Sequence, residues 1–194
     1  MKNLLRLFKK ERKNRNFSSN VNLFNEQTSQ LNNISWSETP KTSESFVMQS
    51  VVDTGVFDYK DNEYSFYVTY EQTLDRNLRM IYCWFRVFVS HENDRKEIGC
   101  LKGAFFDNAF QETEWQKKGL LELIEIESDF QNLGLGSHLL KIYLNYVINL
   151  GAKTVTAKKA RYSEQLVRFY RRFGFEINGR DIKLDLAKYQ KIFC

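Results

Sequence analysis

With 194 residues, 42% of them hydrophobic and 15% aromatic, the chain has the size and apolar content of one packed domain, and no apolar run approaches the roughly 20 residues of a membrane span. Its net charge of +5 is uneven: residues 1–15 hold seven Lys or Arg residues against Glu11 alone, so the rest of the chain is close to neutral. Cys83, Cys100 and Cys194 are widely spaced, forming neither a metal-ligand cluster nor a disulfide framework, and the basic start is not followed by the apolar stretch of a secretory signal; a reduced, cytoplasmic setting fits.

The first segment is a basic arm in which Leu4, Leu5, Leu7 and Phe8 add an apolar side. Such an arm can lie on an anionic membrane surface or meet nucleic acid or a protein partner; the competing reading is a solvated terminus. Residues 16–45 are rich in Asn, Ser, Gln and Thr, hold the single proline, Pro40, and read as a polar linker. The expected division is therefore an arm and linker over 1–45 and a folded domain over 46–194.

Strand signals follow at 46–53 and 64–71, the second dense in aromatic and β-branched residues. Residues 79–90 and 97–106 read as a hairpin around the polar turn 91–96. Residues 107–118 are polar, and a short helix is expected there. Leu120, Leu121, Leu123, Ile124 and Ile126 are too continuous for a one-sided strand, which predicts a central strand over 120–127 covered on both faces. The period then becomes helical. Leu139, Leu140, Tyr143, Leu144, Val147, Ile148 and Leu150 keep three-and-four spacing, and Gly151 stands where a helix-ending glycine belongs. Thr154–Ala157 is a short strand. Ser163 is a good N-cap for a helix through Arg172, which Gly174 closes. Residues 175–178 and 180–186 read as a hairpin around Asn178-Gly179. The order predicts an α/β sheet with its ligand at the carboxyl end of the central strand.

That end carries the main chemical signal, Ile126-Glu127-Ser128-Asp129-Phe130-Gln131-Asn132-Leu133-Gly134-Leu135-Gly136-Ser137. Glycines at 134 and 136 let backbone approach a ligand without Cβ obstruction, and the helix that follows aims its first N–H groups at an anion. A third glycine for a dinucleotide fingerprint is missing, as is the Gly-Lys-Ser/Thr of a nucleoside triphosphate loop. A plain strand-to-helix connection is the competing reading. Downstream comes Phe169-Tyr170-Arg171-Arg172-Phe173-Gly174-Phe175.

With both segments in this order, the chain resembles the GNAT superfamily of acyl-CoA-dependent N-acetyltransferases. Gln131, Gly134 and Gly136 match the family's Arg/Gln-x-x-Gly-x-Gly/Ala turn, after a lead-in carried by residues 126–130. Tyr170, Gly174 and Phe175 match its Tyr-x-x-x-Gly-Phe signature. The resemblance covers residues 79–186 and is strongest over 120–176. It implies a mixed, mostly antiparallel central sheet, splayed at the cofactor-binding strand and flanked by helices. It implies acetyl-CoA as co-substrate, with the N–H groups of Asn132, Leu133, Gly134, Leu135, Gly136 and Ser137 on the pyrophosphate and Gln131 closing the cradle. The backbones of Ile124 and Ile126 would pair with the pantetheine arm. Tyr170 would be the general acid for the departing thiolate; a core tyrosine is the competing reading.

The resemblance also implies an amine acceptor, small molecule or peptide and protein, whose class the sequence leaves open. Glu125, then Glu127, are the candidates for general base, since a carboxylate buried on this strand would have a raised pKa; Glu122 should point the opposite way unless a bulge shifts the phase, and a water chain is the alternative. The family's common Asn seven residues before the tyrosine is Ser163 here, a ligand for the cofactor or a plain helix cap. The family commonly places two helices after its first strand, and residues 54–78 show no helical period. Neither His91 nor His138 has a partner in ligand spacing, and no metal is expected. Arg168, Arg171, Arg172, Lys158, Lys159 and Arg161 form a basic group, some of which could reach the 3′-phosphate of coenzyme A. The expected function is acetyl transfer from acetyl-CoA to a primary amine. The alternative is a non-catalytic acyl-CoA-binding or interaction module docked through its basic arm, and a homodimer is open in either case.

Overall fold

A computed structural model describes residues 48–59, 62–91, 94–111, 114–157, 163–179 and 181–193. The basic arm, the polar linker, Lys158, Lys159, Arg161 and Cys194 lie outside the described residues. The strands are β1 (Met48–Tyr59), β2 (Asn62–Asp75), β3 (Met80–His91), β4 (Asp94–Gln111), β5 (Glu114–Ile126), β6 (Thr154–Ala157), β7 (Glu176–Asn178) and β8 (Asp181–Asp185). The helices are α1 (Leu135–Asn149), α2 (Glu164–Arg171) and α3 (Leu186–Phe193), with a 3-10 turn at Ser128–Phe130.

The eight strands form one sheet in the order β1-β2-β3-β4-β5-β6-β8-β7. Every neighbouring pair is antiparallel except β5 and β6, which α1 joins as a parallel crossover. One sheet face buries Phe66, Val68, Tyr70, Ile81, Cys83, Phe85, Val87 and Leu101 against the apolar side of α1, which supplies Leu139, Leu140, Tyr143, Leu144, Tyr146 and Val147. Two glycines seat this helix. A Cβ at Gly103 would come within 2.6 Å of the Tyr143 ring, and one at Gly119 within 3.0 Å of the Tyr143 hydroxyl. The helix ends as its sequence predicts, with Gly151 at φ +86 just past the C-cap Leu150.

Several elements differ from expectation. Residues 107–111 and 114–118 are strand, because the β4–β5 ladder continues through Ala109 opposite Gln116 and Gln111 opposite Glu114. A bulge after Phe106 turns Asp107 toward Arg79 and Lys117, at 2.5 and 3.3 Å, so polarity here marks the outer end of a long hairpin. β5 is central, yet of Leu120, Leu121 and Leu123 only Leu121 is fully buried, since α1 covers a single face. The closing hairpin forms with Asn178 opposite Asp181, one position later than an Asn178-Gly179 centre. The helix α3 follows it unforeseen; Asp185 Oδ1 accepts from the Ala187 and Lys188 N–H groups at 2.9 and 3.2 Å and starts the first turn.

Between β2 and β3 the connection spans Arg76–Arg79 and holds no helix. None of the described helices is long and apolar enough to cross a membrane.

Candidate active site

β5 sets the site. Lys102 faces Leu123 while Gly103 faces Leu121, so Glu122 is an extra residue bulged out of the ladder. The bulge shifts the phase of the strand: Ile124 and Ile126 take the α1 face with Leu121, and Glu125 takes the opposite face beside Cys100. On its other edge β5 pairs with β6 only from Lys118 to Leu121. On that edge residues 122–126 therefore have no described strand beside them, while β4 pairs with residues 123–126 on the other. The Glu127 N–H donates to the Ile98 carbonyl at 2.8 Å, so by ladder parity the N–H and C=O groups of Ile124 and Ile126 point into this opening.

The turn beyond β5 is built to present N–H groups. Asn132 and Gly134 both adopt left-handed backbone, at φ +63 and φ +91, separated by Leu133; alternation of this kind makes a concave nest. Gly134 is the N-cap of α1, and no side chain caps the helix. The first-turn N–H groups of Leu135, Gly136 and Ser137 have no intrahelical acceptor, whereas the His138 N–H donates to the Gly134 carbonyl at 2.9 Å. A Cβ at Gly136 would enter the gap between Ile126 and Phe169, 3.6 and 3.9 Å from their nearest atoms. An anion fits this uncapped, side-chain-free end.

These features line a cleft of about 1180 Å³. Of the residues expected at the cofactor, Ile124, Ile126, Gln131, Asn132, Gly134, Leu135, Gly136, Ser137 and Ser163 line it. Leu133 does not and packs on the core. Gln131 Nε2 donates to the Ile126 carbonyl at 2.9 Å, tying the turn to the strand end, so one of the expected pantetheine acceptors is occupied. The Ser163 hydroxyl accepts from the Leu166 N–H at 3.1 Å and caps α2 from the rim of the cleft.

The expected acid and bases lie off the cleft wall. Tyr170 is buried against Phe169 and Phe175, with ring centres 5.5 and 5.1 Å away; Phe169, not Tyr170, forms the wall. Burial pushes the Tyr170 phenol up to about 12. Glu125 and Glu127 are exposed rather than buried, and Lys96 holds Glu127 at 2.5 Å. The reason is the bulge, which aims the odd-numbered residues after it away from α1.

Sequence reasoning missed three features. His138 has a partner, Asp53, a buried carboxylate on β1 that also accepts from the Thr54 N–H at 2.8 Å. Eighty-five positions separate the pair, so no local spacing announces it. Phe130 lines the cleft and packs edge-on against Phe57 and Tyr64 and at a tilt against Tyr59, pinning the β1–β2 hairpin to the turn. The far wall is made by Gln165, Leu166, Arg168 and Phe169 of α2 and its C-cap Arg172; the sequence singles out only the two arginines, as candidate phosphate contacts, and not Gln165, Leu166 or Phe169. Among the described residues no group of three His, Cys, Asp or Glu side chains gathers as a metal site would require.

A parallel strand pair joined by a helix whose uncapped N-terminus lines a cleft beside the end of the central strand defines an α/β protein with a mixed, mostly antiparallel sheet. The chain belongs to the Acetyltransferase (GNAT) family, whose model matches residues 43–175, and it is therefore an acyltransferase of the acyl-CoA class. Among solved structures it is similar to an acetyltransferase of the GNAT family from Desulfovibrio desulfuricans, at 20% identity and TM-score 0.40, covering 54% of this chain and 70% of that one. It is similar to the NatC complex bound to Gag peptide and CoA, at 11% identity and TM-score 0.43, covering 52% and 70%. It is also similar to a mutant AtaT toxin bound to the C-terminus of the antitoxin AtaR and acetyl-CoA, at 12% identity and TM-score 0.43, covering 57% and 72%. No curated protein matches the chain.

Proposed function

We propose that the chain transfers the acetyl group of acetyl-CoA directly to a primary amine on a small molecule, peptide or protein. The observation that carries this reading is the joining of the uncapped, glycine-opened end of α1 to the end of β5, whose edge beyond Leu121 has no described strand partner, in one cleft. When bound, acetyl-CoA supplies an activated acetyl thioester. The N–H groups of residues 132–137 hold its pyrophosphate, and the backbone of Ile124 with the N–H of Ile126 holds the pantetheine arm as an added strand would. These residues also shut water from one side of the arm, because Ile124, Ile126 and Phe169 wall it with apolar surface.

Tyr170 is the proposed proton donor. Its phenol keeps its proton throughout the physiological range, since burial has moved it up to about 12. A donor so weak serves only a strongly basic acceptor, and a thiolate, ordinarily near ~8.5, becomes more basic when desolvated beside apolar walls. Glu125 is the proposed proton acceptor. It is exposed on the β5 face away from α1 and, unlike Glu127, has no cationic partner among the described residues. It acts through solvent. Among the described residues the β2–β3 connection is short and holds no helix pair of the kind the family commonly has, which suits an extended amine substrate. The folded unit is proposed to begin near residue 46, with the preceding basic arm available to an anionic surface or partner.

Thiol release from acetyl-CoA, measured over a panel of small amines, peptide N-termini and lysine peptides, tests the proposal. The expected result is turnover with at least one class of amine, each product carrying one acetyl group per thiol released. Release that is independent of any amine would contradict it.

A further inference from the structure

The sheet has two faces, and α1 covers one. It packs on the side that holds Phe85, Val87 and Leu101, while α2 and α3 pack chiefly on β7 and β8. By strand alternation the other side of β1, β2 and β3 presents Val51, Val56, Tyr67, Tyr82, Trp84 and Phe88. An antiparallel strand with one solvated face alternates apolar with polar residues. β3 does not: from Ile81 to Val89 both of its sides are apolar or aromatic, with Arg86 the one exception. Val51, Val56 and Tyr82 are 49, 44 and 40% exposed, three of the five large apolar side chains left open among the described residues. The Tyr67 hydroxyl is buried on this side with no hydrogen-bond partner among the described residues.

Charge narrows what can lie there. Arg86 and Lys102 stand over the Trp84 ring and Arg95 over the rings of Tyr67 and Phe88. Glu71, Glu97 and Glu125 balance them on the same side. Around these rings there is no net attraction for a nucleic acid or for the basic arm of residues 1–15. Residues 16–47 are a better match. Glu26, Glu38, Lys41 and Glu44 are their only charged residues, and Phe17, Leu23, Phe24, Leu31, Ile34 and Trp36 punctuate a sequence rich in Asn, Ser and Thr. They run straight into Met48, the first residue of the edge strand β1. Strands β1 to β4 at a spacing of ~4.8 Å make a face about 15 Å wide, which about ten helical or five extended residues cross. A tethered segment also docks at a high effective concentration.

We propose that residues 16–47 pack across the side of β1–β4 opposite α1, with their apolar side chains on Val56, Tyr82 and Trp84 and the basic arm left clear. This inference does not depend on the acetyl-CoA reading. Glu125 stands on the same side one strand further on, so the docked segment borders the proposed acceptor side.

Hydrogen exchange read by mass spectrometry on the dilute full chain tests this, with sedimentation velocity on the same samples. In a monomeric protein the amides of residues 16–47 should exchange at least tenfold more slowly than those of an unstructured chain, and those of residues 1–15 at the unstructured rate. Tyr82→Asp and Trp36→Asp, one on each side of the contact, should each release the 16–47 amides while α1 keeps its protection. Val56→Asp takes the place of Tyr82→Asp if α1 loses protection in that variant. Ile192→Asp, at an exposed apolar residue of α3, should release nothing. Unprotected 16–47 amides in the unaltered chain would overturn the proposal. So would protection that survives both contact variants, or protection lost on dilution as a dimer dissociates, which would give the face to a second copy.

Discussion

At the scale of single residues, the site depends on backbone that most side chains cannot adopt. Gly134 stands at φ +91, where a Cβ crowds the following carbonyl, so Gly134→Ala should cost about 1–2 kcal/mol of stability, read by urea denaturation. Asn132 tolerates its φ of +63 because its short polar side chain favours that region, and Asn132→Val should be the more damaging change at that position. Tyr170 poses a different test. Its ring is core and its hydroxyl is the proposed acid, so Tyr170→Phe should leave thermal stability close to unchanged while lowering saturated turnover by roughly 10²-fold or more. Unchanged turnover would return Tyr170 to a purely packing role. The glycine turn was legible in the sequence because Gly134 marks a fixed local backbone geometry. The exposure of Glu125 and Glu127 was not, since one bulged residue at Glu122 decides which way every later side chain on β5 points.

At the scale of elements, α1 is held by shape rather than by capping. Gly103→Ala would push a methyl against the Tyr143 ring and the Leu120 carbonyl, 2.6 and 2.9 Å away, and should destabilise the protein by about 1–3 kcal/mol in chemical denaturation. The short helix α2 relies instead on its cap: Ser163→Ala removes the bond to the Leu166 N–H and should cost about 1 kcal/mol. Both helices were legible from three-and-four spacing, cap residues and closing glycines. The helix α3 was overlooked although Asp185 carries a capping signal, because Leu186 also continues the alternation of β8. The polar stretch 107–118 was misread for the opposite reason. A hairpin that extends beyond the core loses apolar alternation, and with it the strand signal.

At the scale of the whole molecule, four phenols share one titration behaviour. Burial raises the pKa values of Tyr70, Tyr143 and Tyr146 well above the ordinary value, and that of Tyr170 to about 12. Folding therefore favours their protonated forms. The stability this provides is fully present below the ordinary tyrosine value near ~10 and is lost as pH rises through the folded values. Denaturation at rising alkaline pH, followed by near-ultraviolet absorbance, should show these phenols ionising with unfolding rather than before it. The α/β character of the sheet was legible from strand-and-helix order, but the Asp53–His138 contact and the Phe130 cluster arise from long-range folding of β1 and β2 onto the turn. The proposed function requires that one cleft, lined by the end of β5 and floored by the glycine turn, hold acetyl-CoA. Titration calorimetry of acetyl-CoA into the full chain and into Gly136→Val tests it most directly. A Val side chain would fill the gap between Ile126 and Phe169, so the account predicts a single saturable site that weakens at least tenfold in the variant while its fold is retained. No binding at millimolar acetyl-CoA, or equal binding by the two proteins, would contradict it.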